Sequence, residues 1–199
     1  MNNDFTDIRS TLELLRGEYA QGCGSDIENS NLPITERDTV AEIRSRLQEL
    51  FADRDLQIHS EIKPASSQNA QLSELKKLPR VDVTVLSDRD GASWFASAKA
   101  IQDRYKKGGI EARFGSVPVE FFHTAIEVKI QSNVRDAKKD IDTLALITDQ
   151  APECNCFFVL LNARGRPKDH TAINSYAHER NITVIEYTAQ AQQSYAPDQ

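Results

Sequence analysis

The sequence has few cysteines and none of the long apolar runs of membrane proteins. Three cysteines occur among its 199 residues, and Cys154 and Cys156 have no second Cys or His pair at zinc-finger spacing. We interpret these two as buried thiols. No apolar stretch approaches the roughly 20 residues that a membrane span needs, and the first residues lack the basic and apolar regions of a signal peptide. A cytoplasmic protein without membrane contact is therefore expected, with a core that needs no disulfides.

Sequence motifs of several common enzyme classes are also missing. There is no glycine-rich phosphate loop, no dinucleotide-binding fingerprint and no G-x-S-x-G nucleophile elbow. The chain therefore has no motif for the active site of a kinase, a dinucleotide-dependent oxidoreductase or an ordinary serine hydrolase. His170 and His178 lie on a predicted helix, too far apart in sequence to share one metal ion without other ligands.

The net charge of −6 argues against a nucleic-acid partner, because lysine and arginine dominate binding to phosphates. Acidic residues gathered at a metal site would contribute to this negative total. Basic residues are clustered locally, and our predicted nucleic-acid contact is the group Arg104, Lys106, Lys107 and Arg113. The alternative, that this group is ordinary solvated surface charge, stays open.

Two predicted strands carry charged residues within β-branched runs. Residues 80–86 (RVDVTVL) contain Asp82, and residues 125–130 (AIEVKI) contain Glu127 and Lys129. Because side chains alternate between the faces of a strand, Glu127 and Lys129 project from the same face. Two neighbouring carboxylates can bind a divalent cation, and a lysine beside them can orient or help deprotonate a metal-bound water. These are the residue types that metal-assisted phosphodiester hydrolysis requires at a minimum.

The order of these residues resembles the PD-(D/E)xK nuclease superfamily, which has the restriction-endonuclease-like fold. The resemblance covers residues 34–188: a glutamate on a first helix, then Asp82, then Glu127-x-Lys129, then a helix and a strand. It implies an α/β protein with a three-layer core, in which helices flank a mixed central sheet. It also implies that Asp82 and Glu127 bind Mg²⁺ or Mn²⁺ and that Lys129 positions or activates the attacking water. Glu36 matches the family's helix glutamate.

Glu-x-Lys occurs three times in the chain, so the motif needs its context. Glu74 begins a copy in a polar stretch that we predict to be a loop or short helix, and Glu61 begins a copy that has no acidic residue on a separate preceding strand. Only the copy at Glu127 has both a strand and a partner, Asp82. The 44 residues between these two exceed what a hairpin requires, so an insertion, at about residues 88–118, is expected between the motif strands.

A predicted helix after Thr35 sets the direction of Glu36. Thr35 and Asp38 have the spacing of a capping box. Glu36 lies at the start of the helix's apolar stripe, whereas Glu42 falls away from it. A carboxylate aimed at the core is costly without a cation or hydrogen-bond partner, so Glu36 is a candidate for the metal site. The alternative is a first-turn acid favoured by the helix dipole.

The chain is predicted to form one α/β domain with two flanking segments. Residues 1–33 are expected to be an N-terminal helical arm outside the core, available for a homodimer contact, and residues 189–199 a disordered tail. A long strand is predicted over 119–131, where His123 would share the face of Glu127 if no bulge intervenes, with a structural role favoured. Alternating elements follow, a pattern typical of a layered α/β domain: a helix over 133–150, a strand over 156–161, a helix over 170–180 and a strand over 182–187.

Two functions are compatible with these observations. The first is a divalent-metal-dependent nuclease, an endonuclease of the PD-(D/E)xK type that uses Mg²⁺ or Mn²⁺ and acts on DNA. The second is a non-catalytic nucleic-acid-binding or protein-assembly module on the same fold. The order of the four motif residues favours the first, and the negative charge and the long gap between the motif strands favour the second.

Overall fold

The structure of the protein, a computed structural model, describes residues 3–25, 35–54, 56–65, 79–87, 116–130, 133–162 and 169–188. These residues form α-helices, strands and one 3₁₀ turn. In chain order they are α1 (Asn3–Ser25), α2 (Glu36–Leu50), β1 (Leu56–Ala65), β2 (Val81–Ser87), β3 (Ser116–Pro118), the 3₁₀ turn (Val119–Phe121), β4 (Phe122–Ile130), α3 (Val134–Gln150), β5 (Asn155–Asn162), α4 (Thr171–His178) and β6 (Thr183–Thr188).

The strands form one mixed sheet in the order β3-β1-β2-β4-β5-β6. β2 runs antiparallel to both of its neighbours, β1 and β4, whereas β4, β5 and β6 are parallel to one another. The parallel strands are joined through α3 and α4, because parallel neighbours need a crossover connection. The protein is therefore an α/β protein, as the sequence predicted.

Helices cover both faces of this sheet. Apolar residues of α1 and α2 pack with Val83 and Phe157 on one face, and apolar residues of α3 and α4 pack with Phe158 and Leu160 on the other. Both faces of β5 are buried, which explains its nearly continuous apolar sequence. The core therefore has three layers, with the sheet in the middle.

Helix α1 belongs to this core, which corrects the expectation of an arm outside it. Ile8 and Leu12 are completely buried. The Tyr187 hydroxyl of β6 donates a 2.7 Å hydrogen bond to the Leu12 carbonyl, and the Phe5 ring stacks on Phe157 with centroids 5.2 Å apart. The helix that we expected to be available for a homodimer contact therefore packs its apolar residues on the sheet of its own chain and covers this face.

Leu12 and Leu14 provide a direct test of this packing, since Leu14 is 69% exposed on the same helix. Leu12→Ala is expected to reduce the free energy of unfolding by about 2–5 kcal/mol, because it leaves a cavity against β6. Leu14→Ala is expected to change it by less than about 0.5 kcal/mol. Urea denaturation measures both values. Equal urea midpoints for the two variants would contradict the packing of α1 on the sheet.

The N-terminus of α2 is capped as predicted, and a second cap begins α3. The Thr35 hydroxyl accepts a 3.1 Å hydrogen bond from the Asp38 backbone N–H, and the Asp38 carboxylate accepts one of 3.1 Å from the Thr35 backbone N–H. This reciprocal pair is the predicted capping box. Asn133 caps α3 in a similar way, accepting from the Asp136 backbone N–H at 2.9 Å. The caps fix where both helices begin, and so the position of Glu36.

The prediction for β4 was wrong at its start. The expected strand over 119–131 is shorter, because Val119–Phe121 form a 3₁₀ turn and β4 begins only at Phe122. Of the expected insertion, the structure describes residues 116–118, which pair with β1 as β3. The remainder of the insertion and the tail over 189–199 lie outside the described residues.

His123 occupies a β-bulge and points away from the face of Glu127. The pairing of β2 with β4 shifts by one residue between Val85 and Leu86, which leaves one extra residue in β4. His123 Nε2 lies 3.1 Å from Asp4 Oδ2 of α1. The shared face was expected only in the absence of a bulge, and that condition is not met. The contact with α1 agrees with the structural role favoured for this histidine.

The second half of the chain agrees closely with prediction. α3, β5, α4 and β6 begin and end within two residues of their predicted bounds. Cys154 and Cys156 are buried free thiols, as interpreted from the sequence.

In the described part of the chain, none of the helices combines the length and the apolar character that crossing a membrane would require.

Candidate functional site

Asp82 and Glu127 face each other on neighbouring antiparallel strands. Val83 of β2 pairs with Ile126 of β4. Asp82 and Glu127 are the next residues along the two strands, so their side chains lie side by side. Asp82 Oδ2 accepts a 2.8 Å hydrogen bond from the Val128 backbone N–H. An unpaired backbone N–H would be costly here, so this bond fixes the Asp82 carboxylate next to Glu127.

Glu127 is a buried carboxylate that lacks a partner for one of its oxygens. It is 2% exposed, and its Oε1 has no hydrogen-bond partner among the described residues. Burial raises the pKa of Glu127 well above its ordinary value, and the negative charges of Asp82 and Asp140 raise it further. Burial also raises the pKa of Asp82, although the hydrogen bond from Val128 opposes this. The positive charge of Lys129 lowers the pKa of both carboxyls, but burial outweighs it.

Lys129 lies between acidic side chains from two helices. Its Nζ is 3.4 Å from Glu36 Oε1 of α2 and 3.5 Å from Asp140 Oδ2 of α3. Burial acts to lower the pKa of Lys129, but the surrounding carboxylates, Asp140 and Glu36 first, outweigh it and raise the pKa above its usual range. Lys129 therefore carries its positive charge at neutral pH.

Sequence reasoning missed Asp140. This residue is 8% exposed on the buried face of α3. Burial raises the pKa of Asp140, and the ammonium of Lys129 lowers it. A signal was present in the sequence: Asp140 lies three residues after Ala137 and four before Leu144, within the apolar stripe of the helix. An acid at such a position needs a partner, which is Lys129.

The predicted helix phase of α2 is confirmed. Glu36 reaches Lys129, whereas Glu42 is exposed and pairs with Arg46 of its own helix at 3.0 Å. The side chain of Glu36 is 39% exposed. Glu36 therefore lies at the rim of the site.

The copy of the motif at Glu61 does not join the site. The pairing of β1 with β2 places Glu61 opposite Asp82. Its φ of 59° is left-handed, a conformation rare for glutamate, and its side chain is exposed. Glu74, in the remaining copy, lies outside the described residues. The copy at Glu127 brings its glutamate beside Asp82 and its lysine beside Glu36 and Asp140.

The site has a surplus of negative charge that suits a divalent cation. Its ionisable groups are four carboxylates and one ammonium, a net charge of 1 − 4 = −3 when all are charged: Glu36, Asp82, Glu127, Asp140 and Lys129. Within the described ranges, no three His, Cys, Asp or Glu side chains form a ready ligand set. Mg²⁺ is commonly held by one or two carboxylates with water and substrate phosphate as further ligands. Asp82 and Glu127, with its unpartnered oxygen, fit that arrangement.

The predicted nucleic-acid contacts cannot be placed beside this site. Arg104, Lys106, Lys107 and Arg113 all lie outside the described residues. Their contact with nucleic acid stays a prediction.

The two histidines of the C-terminal half do not meet. His170 is buried, with Nδ1 2.9 Å from Glu186 Oε1. His178 is exposed and, with Glu186, lines a cavity of about 470 Å³ between α4 and β6. This agrees with the expectation that their spacing is too long for one metal site.

Glu127→Gln is expected to stabilise the cation-free protein at neutral pH by about 1–3 kcal/mol, the cost of an unsatisfied buried group. Because the pKa of Glu127 is raised above 4.5 in the folded state, the wild type loses stability as pH rises from 4.5 through the higher folded pKa. Glutamine does not ionise, so the variant escapes this loss. Thermal unfolding in chelator should show a gap between the proteins that widens with pH.

The exposed Glu120 provides the matched control for that experiment. Glu120→Gln removes the same charge from the surface and should leave the pH dependence of stability unchanged. A difference between Glu127→Gln and wild type that stays constant with pH would contradict the buried, ionising carboxylate. Added Mg²⁺ should stabilise the wild type more than Glu127→Gln, because ligands that bind only the folded state stabilise it.

Comparison with known proteins adds no family assignment to this geometry. No protein-family model matches the chain. A search of curated proteins finds no match either.

Proposed function

We propose that the protein is a divalent-metal-dependent nuclease that hydrolyses phosphodiester bonds, with DNA as its substrate. The observation that carries the proposal is the meeting of Asp82, Glu127, Lys129 and Glu36 on two adjacent strands and the first turn of α2. This is the residue order of the PD-(D/E)xK superfamily. The antiparallel motif strands, the helix and strand that follow them and the three layers support a restriction-endonuclease-like fold.

Each residue has a distinct role in this chemistry. Asp82 and Glu127 would hold Mg²⁺ or Mn²⁺ through their carboxylate oxygens. When bound, the cation supplies polarisation of the phosphate and a more acidic water. Lys129 would orient the attacking water and stabilise negative charge on the phosphate, since its ammonium is held in place and stays charged. Glu36 would support a water or the cation from the rim.

The strand pairing provides an approach for the phosphate. The pairing of β2 with β4 is described only up to Val83 and Ile126, whereas β4 and β5 stay paired as far as Ile130. Beyond Ile126, on the side of β4 that faces β2, the Val128 backbone N–H donates to the Asp82 carboxylate and not to a backbone carbonyl of β2. Lys129 lies in this part of β4, which pairs with β5 but not with β2, so a substrate could approach it without breaking the sheet.

Incubation with labelled nucleic acids tests the proposal. The purified protein should cut at least one of single-stranded, duplex and branched substrates in Mg²⁺ or Mn²⁺, and cutting should stop on addition of a chelator. Asp82→Ala, purified in the same way, controls for contaminating nucleases. A wild type that binds nucleic acid but cuts none of these substrates with either cation would favour the alternative, a non-catalytic binding or assembly module, which the net charge of −6 also supports.

A further inference from the structure

Asp140 is a buried acid whose position favours an apolar residue. Its helix neighbours Ala137, Ile141 and Leu144 are completely buried, and Asp140 itself is 8% exposed. Its Oδ2 makes no hydrogen bond among the described residues and lies 3.5 Å from Lys129 Nζ. A buried ion pair contributes little to stability, and apolar residues of similar volume often replace one without loss. Packing therefore does not explain an aspartate here.

Asp140 and Glu36 hold Lys129 from opposite layers of the fold. Glu36 belongs to α2, which packs on one face of the sheet, and Asp140 belongs to α3, which packs on the other. The contact with Glu36 is partly exposed, and exposed ion pairs restrain long side chains weakly. The contact with Asp140 is shielded from solvent, with the Asp140 side chain 12% exposed. Water therefore screens the contact with Asp140 less than it screens the contact with Glu36.

We propose that Asp140 is a positioning residue that holds the Lys129 ammonium towards the phosphate to be cleaved. The inference rests on the proposed nuclease function. In this role Asp140 contacts neither the substrate nor the cation, and it acts through Lys129 alone. Asp82 and Glu127 remain the residues that would hold the cation.

The first measurement needs no turnover. The side-chain ammonium signal of Lys129 is followed by NMR in ¹⁵N-lysine protein without added cation, and it is assigned by its loss in Lys129→Arg. Asp140→Asn should shift this signal and speed its exchange with water, because the shielded partner loses its charge. Asp149→Asn, an exposed aspartate on the same helix, is the matched control and should leave the signal unchanged. An unchanged Lys129 signal in Asp140→Asn would overturn the proposal.

The second measurement separates positioning from cation binding. Asp140→Asn should lower kcat by about 10²-fold, the effect of a small misplacement of a reacting group, with KM and the calorimetric affinity for Mn²⁺ unchanged. Asp140→Leu should show the same fall in kcat as Asp140→Asn without a lower Tm. An unchanged Tm excludes unfolding as the cause of the lower activity. A parallel fall in Mn²⁺ affinity would make Asp140 a cation ligand and overturn the positioning role. If the wild type cuts no nucleic acid, the nuclease proposal fails, and the NMR measurement alone decides whether Asp140 holds Lys129.

Discussion

Lys129→Ala is expected to lower the rate of cleavage by at least about 10²-fold, comparable to the loss of one group that stabilises charge in a transition state. Cation binding should persist in this variant, because an ammonium is not a ligand. The affinity for Mn²⁺ should be equal to or higher than that of the wild type, since a positive charge next to the carboxylates is removed. Single-turnover cleavage and calorimetric titration with Mn²⁺ measure the two effects.

Lys139→Ala is the matched control, because this lysine is 66% exposed on α3 and pairs only weakly with Asp136, at 3.7 Å. It should keep the wild-type rate and the wild-type affinity for Mn²⁺. A Lys129→Ala protein that cuts at the wild-type rate would place the active site elsewhere.

Asp82→Ala is expected to abolish both cation binding and cleavage, since it removes one of the two carboxylates proposed to hold the cation. Binding of nucleic acid should be preserved or strengthened, because a negative charge next to the phosphate is lost. The two variants should therefore differ in a Mn²⁺ titration although neither cuts. Fluorescence anisotropy with a labelled oligonucleotide measures the binding.

Asp82→Asn separates the charge of Asp82 from its structural contact. Asparagine keeps an acceptor for the Val128 backbone N–H, which donates to Asp82 in the wild type at 2.8 Å. We expect Asp82→Asn to be as stable as the wild type and, like Asp82→Ala, to be inactive. If both Asp82 variants titrate with Mn²⁺ like the wild type, the carboxylate of Asp82 is not a cation ligand.

Local patterns predicted the parts of the fold that depend on neighbouring residues. The capping box at Thr35 is set by residues three apart, and the phase that turns Glu36 towards Lys129 and Glu42 towards solvent follows from the period of the helix. The alternation of a β-strand likewise brings Glu127 and Lys129 to one face. These signals need no knowledge of which elements pack together.

Contacts between distant residues account for what the sequence did not reveal. The bulge at His123 depends on how β4 pairs with β2, a register that the residues of β4 do not encode alone. The N-terminal helix was predicted, but Tyr187, whose hydroxyl donates to the Leu12 carbonyl of this helix, lies 175 residues further along the chain. Asp140 was overlooked because its partner, Lys129, belongs to another element and becomes its neighbour only when α3 packs on the sheet.

The most direct test of the proposed metal site is the position of Mn²⁺ in a crystal of the wild-type protein, located by its anomalous scattering. We expect a peak at about 2.1 Å, the distance typical of a small divalent cation, from carboxylate oxygens of Asp82 and Glu127. Glu127 Oε1 should gain a partner there, and Lys129 should stay outside the coordination sphere. A crystal with no Mn²⁺ between these two carboxylates, or with Mn²⁺ bound only elsewhere, would contradict the proposed site.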